Sequence, residues 1–415
     1  MNDLRINGPR LLERLAELAA IGAIEGTDGC ARLALTDEDK AGRDLVVTWM
    51  RELAMDVTID GIGNVVATWS GPSTDRSLDP VMTGSHIDTV RTGGRYDGNL
   101  GVLAGLELIE TLTEAGISPE RPIAVAFFTD EEGARFPPDM LGSLVYVGGL
   151  RLEDALDIEG IDGAIVGAEL DRIGYQGLAP LPGPVPHAFV ELHVEQGPVL
   201  EAEGITIGAV ESVQGISWTE LTIVGQSNHA GTTPMNHRRD AGYAAACVTT
   251  FVRDLATELG GCQVATVGKI DLHPNLVNVV AAQATVTVDL RNTDETILKE
   301  AERRLEIFCD QLGGAQGVTI TPRVLARFEP VVFNSTVVDL VADTAAALGH
   351  SVNRMPSGAG HDAQMMARVC PTGMVFTPSR DGISHNPAEH TDPADIEAGA
   401  NVLLHTVMTL AGGTP

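Results

Sequence analysis

From Gly8 to Ala54 the apolar positions recur at helical spacing, with Leu11, Leu12, Leu15 and Leu18 on one face and Val46, Trp49 and Leu53 on the face of a second helix. Short apolar runs follow at Asn64–Trp69, Val81–Thr83 and Ile123–Thr129. The last is apolar at nearly every position, the pattern of a strand covered on both faces. Between them Leu103, Leu106, Ile109 and Leu112 mark a helix over Leu100–Leu112. Strands alternating with helices predict an α/β domain: a mostly parallel mixed sheet flanked by helices.

Near Glu211 the texture changes. Trp218–Val224 and Ala284–Arg291 alternate apolar and polar residues, while Asp240–Leu259 and Glu295–Leu312 read as helices. One polar and one covered sheet face predict an α+β sandwich. After about Ala326 the α/β texture returns. The middle segment, 212–326, is therefore expected as an insertion into a discontinuous domain formed by 1–211 and 327–415. Pro180–Pro186 reads as a stiff connector.

Length and composition narrow the class. A chain of 415 residues exceeds one ordinary core, and 44% hydrophobic with 20% charged residues is a globular composition. No apolar run approaches the roughly 18 residues of a membrane span, and the N-terminal residues lack a basic region before an apolar stretch. Five scattered cysteines, none in a C-x-x-C pair, suggest reduced thiols and a cytoplasmic protein. A formal charge of −30 argues against nucleic-acid binding. An anionic substrate would depend on a few local arginines.

The chemistry concentrates at the ends of apolar runs. His86-Ile-Asp88 closes one run, Asp97 sits among glycines, and Glu131-Glu132 follows the strand ending near Thr129. His193 lies on an alternating strand that puts it on a face with Glu191 and Glu195, and His385 lies in a turn-rich segment. Imidazole and carboxylate suit zinc and similar divalent ions, and a free carboxylate beside them can deprotonate water. Asp88 is placed to accept the second ring N–H of His86. Two adjacent glutamates after a buried strand call for a cation, unless they simply open a helix.

With these segments in hand the chain resembles the dinuclear zinc amidohydrolases of the aminoacylase/carboxypeptidase superfamily: N-carbamoyl-L-amino acid hydrolase, β-ureidopropionase and allantoate amidohydrolase. The resemblance runs from about Arg10 to Leu410 through G-S-H-I-D-T-V, G-G-R-Y-D-G, T-D-E-E-G-A-R-F, E-L-H-V-E-Q-G, N-H-A-G-T-T-P-M, D-L-R-N, G-A-G-H-D-A and G-I-S-H-N-P-A-E. It implies two divalent ions per subunit, zinc first with manganese, cobalt or nickel as alternatives. His86, Asp97 and His193 would hold one; Asp97, Glu132 and His385 the other. Glu131 would be the general base, and Asp88 an orienting residue behind the ligands. His229 would stabilise the oxyanion, Asn278 and Arg291 would bind the substrate carboxylate, and Gln196 and His361 the carbamoyl or ureido group.

The resemblance also implies that residues 212–326 form a dimerisation or lid domain. The protein would be a homodimer, with His229, Asn278 or Arg291 acting across the interface, and the two domains would close over the substrate about hinges near Glu211 and Arg327. The substrate is expected to be a small anionic ureido compound, with no nucleic-acid or membrane partner. Rival readings stand beside these. Arg291 could pair with Asp289 or Asp294, and His361 could cap Asp362. The substrate could be allantoate, or an amide as in an aminoacylase or dipeptidase, which His193 and Gln196 disfavour. A metal-dependent binding protein without turnover would have lost the base or a ligand, and here every position is filled.

Overall fold

A computed structural model describes residues 4–413. The chain divides into two compact units, one formed by the residues up to Glu211 with those from Val332 onward, the other by Ser212–Val331. The return to the first unit falls beyond residue 327, because the strand Thr319–Phe328 stays paired with Gly215–Val224 as far as Phe328 opposite Ile216. Among the described residues no helix is long and apolar enough to cross a membrane.

The first unit is built on a mixed sheet. Its strands run in the spatial order Asp56–Ile59, Val65–Trp69, Ile123–Phe128, Val81–His86, Ala188–Val194, Thr372–Thr377 and Ile207–Val213, and Val352–Ser357 pairs with the last. The four central strands pair in parallel. Ile123–Phe128 and Ala188–Val194 are buried at every position, as a sheet covered on both faces demands. The helix Asn99–Glu114 buries thirteen of its sixteen residues, and Pro393–Leu410 twelve of eighteen. Helix Gly8–Ala20 instead buries only one stripe, Leu11, Leu15 and Leu18 with Gly8 and Ala19. Register aligns the strand ends. His86 lies opposite Phe128, and His193 opposite Phe376. The carboxyl ends of the parallel strands, where such sheets place ligands, therefore share one edge.

The second unit is a four-stranded antiparallel sheet in the order Thr319–Phe328, Gly215–Val224, Gln283–Asn292, Val264–His273. Strand Gln283–Asn292 buries every second residue, Ala284, Val286, Val288 and Leu290. These pack with Ala244, Val248, Val252 and Leu255 of helix Ala241–Leu259 and with Leu298, Ala301 and Leu305 of helix Glu295–Gln316. Asp240 and Asp294 cap the two helices, each accepting two backbone N–H bonds. A separate two-stranded ladder joins Asn228–His229 to Val279–Val280.

Candidate metal centre

At the shared edge the first unit gathers an imidazole and carboxylate cluster. His86 ends its strand, His193 is the penultimate residue of Ala188–Val194, and Glu131 and Glu132 follow the strand Ile123–Phe128 in a turn where Asp130 has φ 56°. No helix begins at the two glutamates. Asp97 precedes Gly98, whose φ of 65° suits glycine, and a Cβ there would come within 2.4 Å of the His86 ring.

Two groups of potential metal ligands share Asp97. In His86, Asp97 and His193 the ligand atoms lie within 4.8 Å of one another, and so do those of Asp97, Glu132 and His385. His193 Nε2 is 3.1 Å and His86 Nε2 3.6 Å from Asp97 Oδ1; His385 Nε2 is 3.5 Å from Asp97 Oδ2 and 3.2 Å from Glu132 Oε2. Glu131 Oε2 lies 3.4 Å from His86 Nε2. Five side chains distant in sequence thus converge beside a further glutamate.

The donor chemistry fits divalent cations. His86 Nδ1 lies 2.9 Å from the main-chain oxygen of Asp88, and His193 Nδ1 2.9 Å from that of Val194. A carbonyl only accepts, so each Nδ1 carries the proton and each Nε2 presents a lone pair. Gly98 N–H donates to His193 Nε2 at 3.1 Å, in keeping with that tautomer. Lone pairs facing a carboxylate repel it unless a cation or proton stands between. No lysine or arginine pairs with Asp88, Asp97, Glu131, Glu132 or Glu389 among the described residues.

Without a cation the cluster must hold protons. Burial pushes Glu131 well above its ordinary range, helped by Asp362, Glu132 and Asp88 against the pull of His86. Burial alone would lower the His86 imidazole, but Glu131, Asp97, Asp88 and Glu132 together carry it well above. Burial would likewise raise Asp97, yet hydrogen bonding to His193 and His86 holds it well below. The hydrogen bond to Glu132 takes His385 to about 9, and burial with the charge of Asp97 takes Glu389 to about 7. Metal binding at such a cluster would release protons.

Asp88 departs from expectation in one respect. It accepts the His86 ring N–H through its main-chain carbonyl, its carboxylate lying 3.9 Å away. That carboxylate instead accepts the backbone N–H groups of Glu131 and Glu132, each at 3.3 Å, and so holds the glutamate turn. Burial raises it to about 6. Of the residues sharing a face with His193, Glu191 accepts from Ser85 Oγ at 2.5 Å and Ala363 N at 2.8 Å, while Glu195 turns away to accept from Val199 and Leu200.

His361 and Gln196 also lie here. The His361 ring centroid is 4.5 Å from that of His193, its Nε2 is 2.9 Å from Ser357 Oγ, and burial with the nearby His193 holds it well below its ordinary value. It does not cap Asp362. Gln196, at φ 59°, donates from Nε2 to Asp97 Oδ2 at 2.9 Å.

The second unit carries the other three expected residues. It brings His229 and Asn278 together, since His229 pairs with Val279 and Ala230 N–H donates to the Asn278 carbonyl at 2.9 Å. His229 Nδ1 accepts from Gly231 N at 3.0 Å and Thr232 N at 3.3 Å, leaving Nε2–H as an outward donor. Arg291 stands apart, at the far end of strand Gln283–Asn292. Eight residues of strand put it about 25 Å from the end where Asn278 lies. Its Nε lies 3.1 and 3.0 Å from the two oxygens of Asp289, the rival pairing foreseen from sequence.

Sequence reasoning assigned no role to Glu389 or Ser384. Glu389 accepts from Tyr96 N and Asp97 N at 3.0 and 3.2 Å, and the Ser384 hydroxyl lies 3.1 Å from both Glu389 Oε2 and Asp97 Oδ2. Both belong to the segment around His385, and their place in that segment was the available signal.

The fold and site define a metal-binding α/β protein with an inserted antiparallel unit. The chain belongs to Peptidase family M20/M25/M40, which matches residues 82–409 and is metal-dependent. It is 40% identical over 408 residues to the N-carbamoyl-L-amino-acid amidohydrolase of Rhizobium meliloti, covering 98% of this chain and 97% of that one. It is 38% identical over 412 residues to the N-carbamoyl-L-amino acid amidohydrolase of Geobacillus stearothermophilus (98% and 100% covered), and 36% identical over 408 residues to the allantoate amidohydrolase of Escherichia coli strain K12 (96% and 97%). The solved structure of an amidase of the hydantoinase/carbamoylase family from Burkholderia multivorans superposes with a TM-score of 0.93 at 44% identity, over 99% of this chain and 100% of that one.

Proposed function

We propose that the protein is a dinuclear metal-dependent amidohydrolase cleaving the ureido C–N bond of N-carbamoyl-L-amino acids, or of N-carbamoyl-β-alanine, to amino acid, CO2 and ammonia. The observation that carries it is the pair of ligand groups sharing Asp97, with Glu131 beside His86 and a member of neither group. The names of the relatives at 40% and 38% identity point the same way.

In this reading His86, Asp97 and His193 hold one ion and Asp97, Glu132 and His385 the other. Imidazole and carboxylate suit zinc, and manganese, cobalt or nickel share those donors. Bound there, the ions would polarise the ureido carbonyl and ease deprotonation of water. Glu131 takes the proton of the attacking water and returns it to the leaving nitrogen. Burial raises its proton affinity in the metal-free cluster, and the two cations would offset that, so that it meets the water as a carboxylate and can hold the proton between the two steps. Asp88 fixes the turn that aims it. The outward Nε2–H of His229 donates to the developing oxyanion, Gln196 and His361 contact the carbamoyl group, and Arg291 exchanges Asp289 for the substrate carboxylate as a two-pronged donor.

A small substrate cannot reach both ends of the strand Gln283–Asn292 in one chain. If Arg291 and the His229–Asn278 pair serve one substrate, they come from different copies, which supports a homodimer joined through the inserted lid unit. Five free cysteines favour a reducing compartment, the cytoplasm.

Allantoate is the second reading, favoured by the Escherichia coli relative. Ammonia release from N-carbamoyl-L- and D-amino acids, N-carbamoyl-β-alanine and allantoate, after chelation and after metal add-back, separates the two. The L-carbamoyl compounds should be turned over fastest, and only with metal. Preference for allantoate would install the second reading, and turnover surviving chelation would remove the metal centre from both.

A further inference from the structure

Behind the cluster the first unit buries two arginines completely, Arg32 and Arg43. Arg43 has a carboxylate partner, Asp39, at 2.7 Å. Arg32 has none. Its Nε donates to the Ile87 carbonyl at 2.8 Å, its Nη1 to the Leu18 and Ile21 carbonyls, both at 2.9 Å, and its Nη2 to Asn99 Oδ1 at 2.8 Å. Every one of these oxygens is neutral. A buried charge without a counter-charge in contact is costly, and an apolar side chain would fill the space with less penalty.

What the guanidinium touches explains the expense. Ile87 stands between His86 and Asp88, and Asn99 is the second residue after Asp97. One rigid planar group therefore ties together the two turns that carry the shared carboxylate and the first histidine. The main chain continues the tie. Arg32 N–H donates to Thr89 Oγ1 at 2.7 Å, Thr89 N–H returns to the Arg32 carbonyl at 2.9 Å, and Cys30 and Gly93 exchange two bonds of 3.0 and 3.1 Å. Helix Asp37–Glu52 leaves room for the side chain at Gly42, where a Cβ would come within 2.8 Å of Arg32 Cδ.

We infer that Arg32 is a positioning residue of the metal centre. It sets the separation between the His86–Asp88 turn and the Asp97 turn, and through it the affinity of the cleft for divalent ions. The inference rests on the metal-centre reading proposed above. Lysine keeps the charge but cannot span Ile87 O and Asn99 Oδ1, and Asn99→Ala removes one arm of the clamp while leaving the arginine in place.

The test is a zinc titration against a competing chelator for wild type, R32K and N99A, with H86A as reference, alongside melting temperatures of metal-free and loaded protein. R32K and N99A should bind at least one ion about 10-fold or more weakly, the loss typical of removing a partner behind a metal ligand. Their metal-induced rise in melting temperature should shrink, over and above the fall in the metal-free melting point that unpairing a buried guanidinium nitrogen brings to N99A, and saturating zinc should restore turnover. Wild-type affinity in both variants overturns the inference. So does an equal fall in the melting points of both forms with affinity unchanged, since that is a purely structural effect. If R32K does not fold, N99A decides alone. Wild type binding no more zinc than H86A overturns the metal-centre reading itself, a result visible before any Arg32 variant is compared.

Discussion

The two ligand groups that share Asp97 are built very differently. His86 and His193 are each 1% exposed, on strands whose every residue is buried, with both ring N–H groups fixed by main-chain carbonyls. His385 is half-exposed, sits at φ 53° in a segment without strand or helix, and is held chiefly by Glu132. One half of the cleft is part of the core; the other is closed by a loop. Rigid elements hold ligands in place before an ion arrives, whereas a loop ligand must be ordered partly by the ion itself. The buried half should therefore bind more tightly and matter to the fold, and the open half should exchange.

The sharpest blow to that contrast falls beside the buried half. Glu131→Gln should lower kcat about 100- to 10,000-fold while both ions remain, checked by ammonia release and metal content; retained turnover would remove Glu131 as the base. Next come the two histidines. His193→Ala empties a buried position and should cost about 2–4 kcal/mol of stability with loss of its ion, whereas His385→Ala, which gives up a half-exposed pairing with Glu132, should cost the metal-free protein only about 1 kcal/mol or less at neutral pH while its ion becomes easy to strip. Melting curves and chelator titrations of the pair decide it, and equal behaviour would erase the distinction. Gly98→Ala, which puts a Cβ into the buried His86 ring at a positive φ, should cost about 2–3 kcal/mol and loosen the buried half first.

The smallest effect concerns pH. His385 titrates near 9 in the folded, metal-free protein, above the unfolded value near 6.5. A raised imidazole contributes stability that is complete below about 6.5 and is lost as pH rises through about 9. Metal-free protein should thus lose a modest part of its melting temperature across that window. H385A should lose less, and loaded protein should not follow the same curve.

The buried half was also the more legible in sequence. Runs such as Ile123–Thr129 announce strands by composition alone, and His86, with Glu131 beside it, follows such runs. The helices Asn99–Glu114 and Ala241–Leu259 were equally plain from spacing. What escaped depends on contacts between distant segments. The ladder that sets His229 beside Asn278 joins residues fifty apart, across a helix and a strand. The exchange of roles at Asp88, carbonyl to the imidazole and carboxylate to the glutamate turn, is decided by backbone direction that no residue type encodes. Arg32 carries no signal in the sequence, because a cation solvated by neutral oxygens leaves no partner charge to find. The separation of Arg291 from Asn278 needed only strand length, and was available to arithmetic.

That strand has a consequence for how the protein would be assayed. Ten extended residues form a ruler that no side-chain rotation can shorten. If both of its ends serve one substrate, each chain lends one end to itself and the other to its neighbour. Specific activity would then fall on dilution, and two crippled chains, one lacking His229 and one lacking Arg291, would recover turnover when mixed.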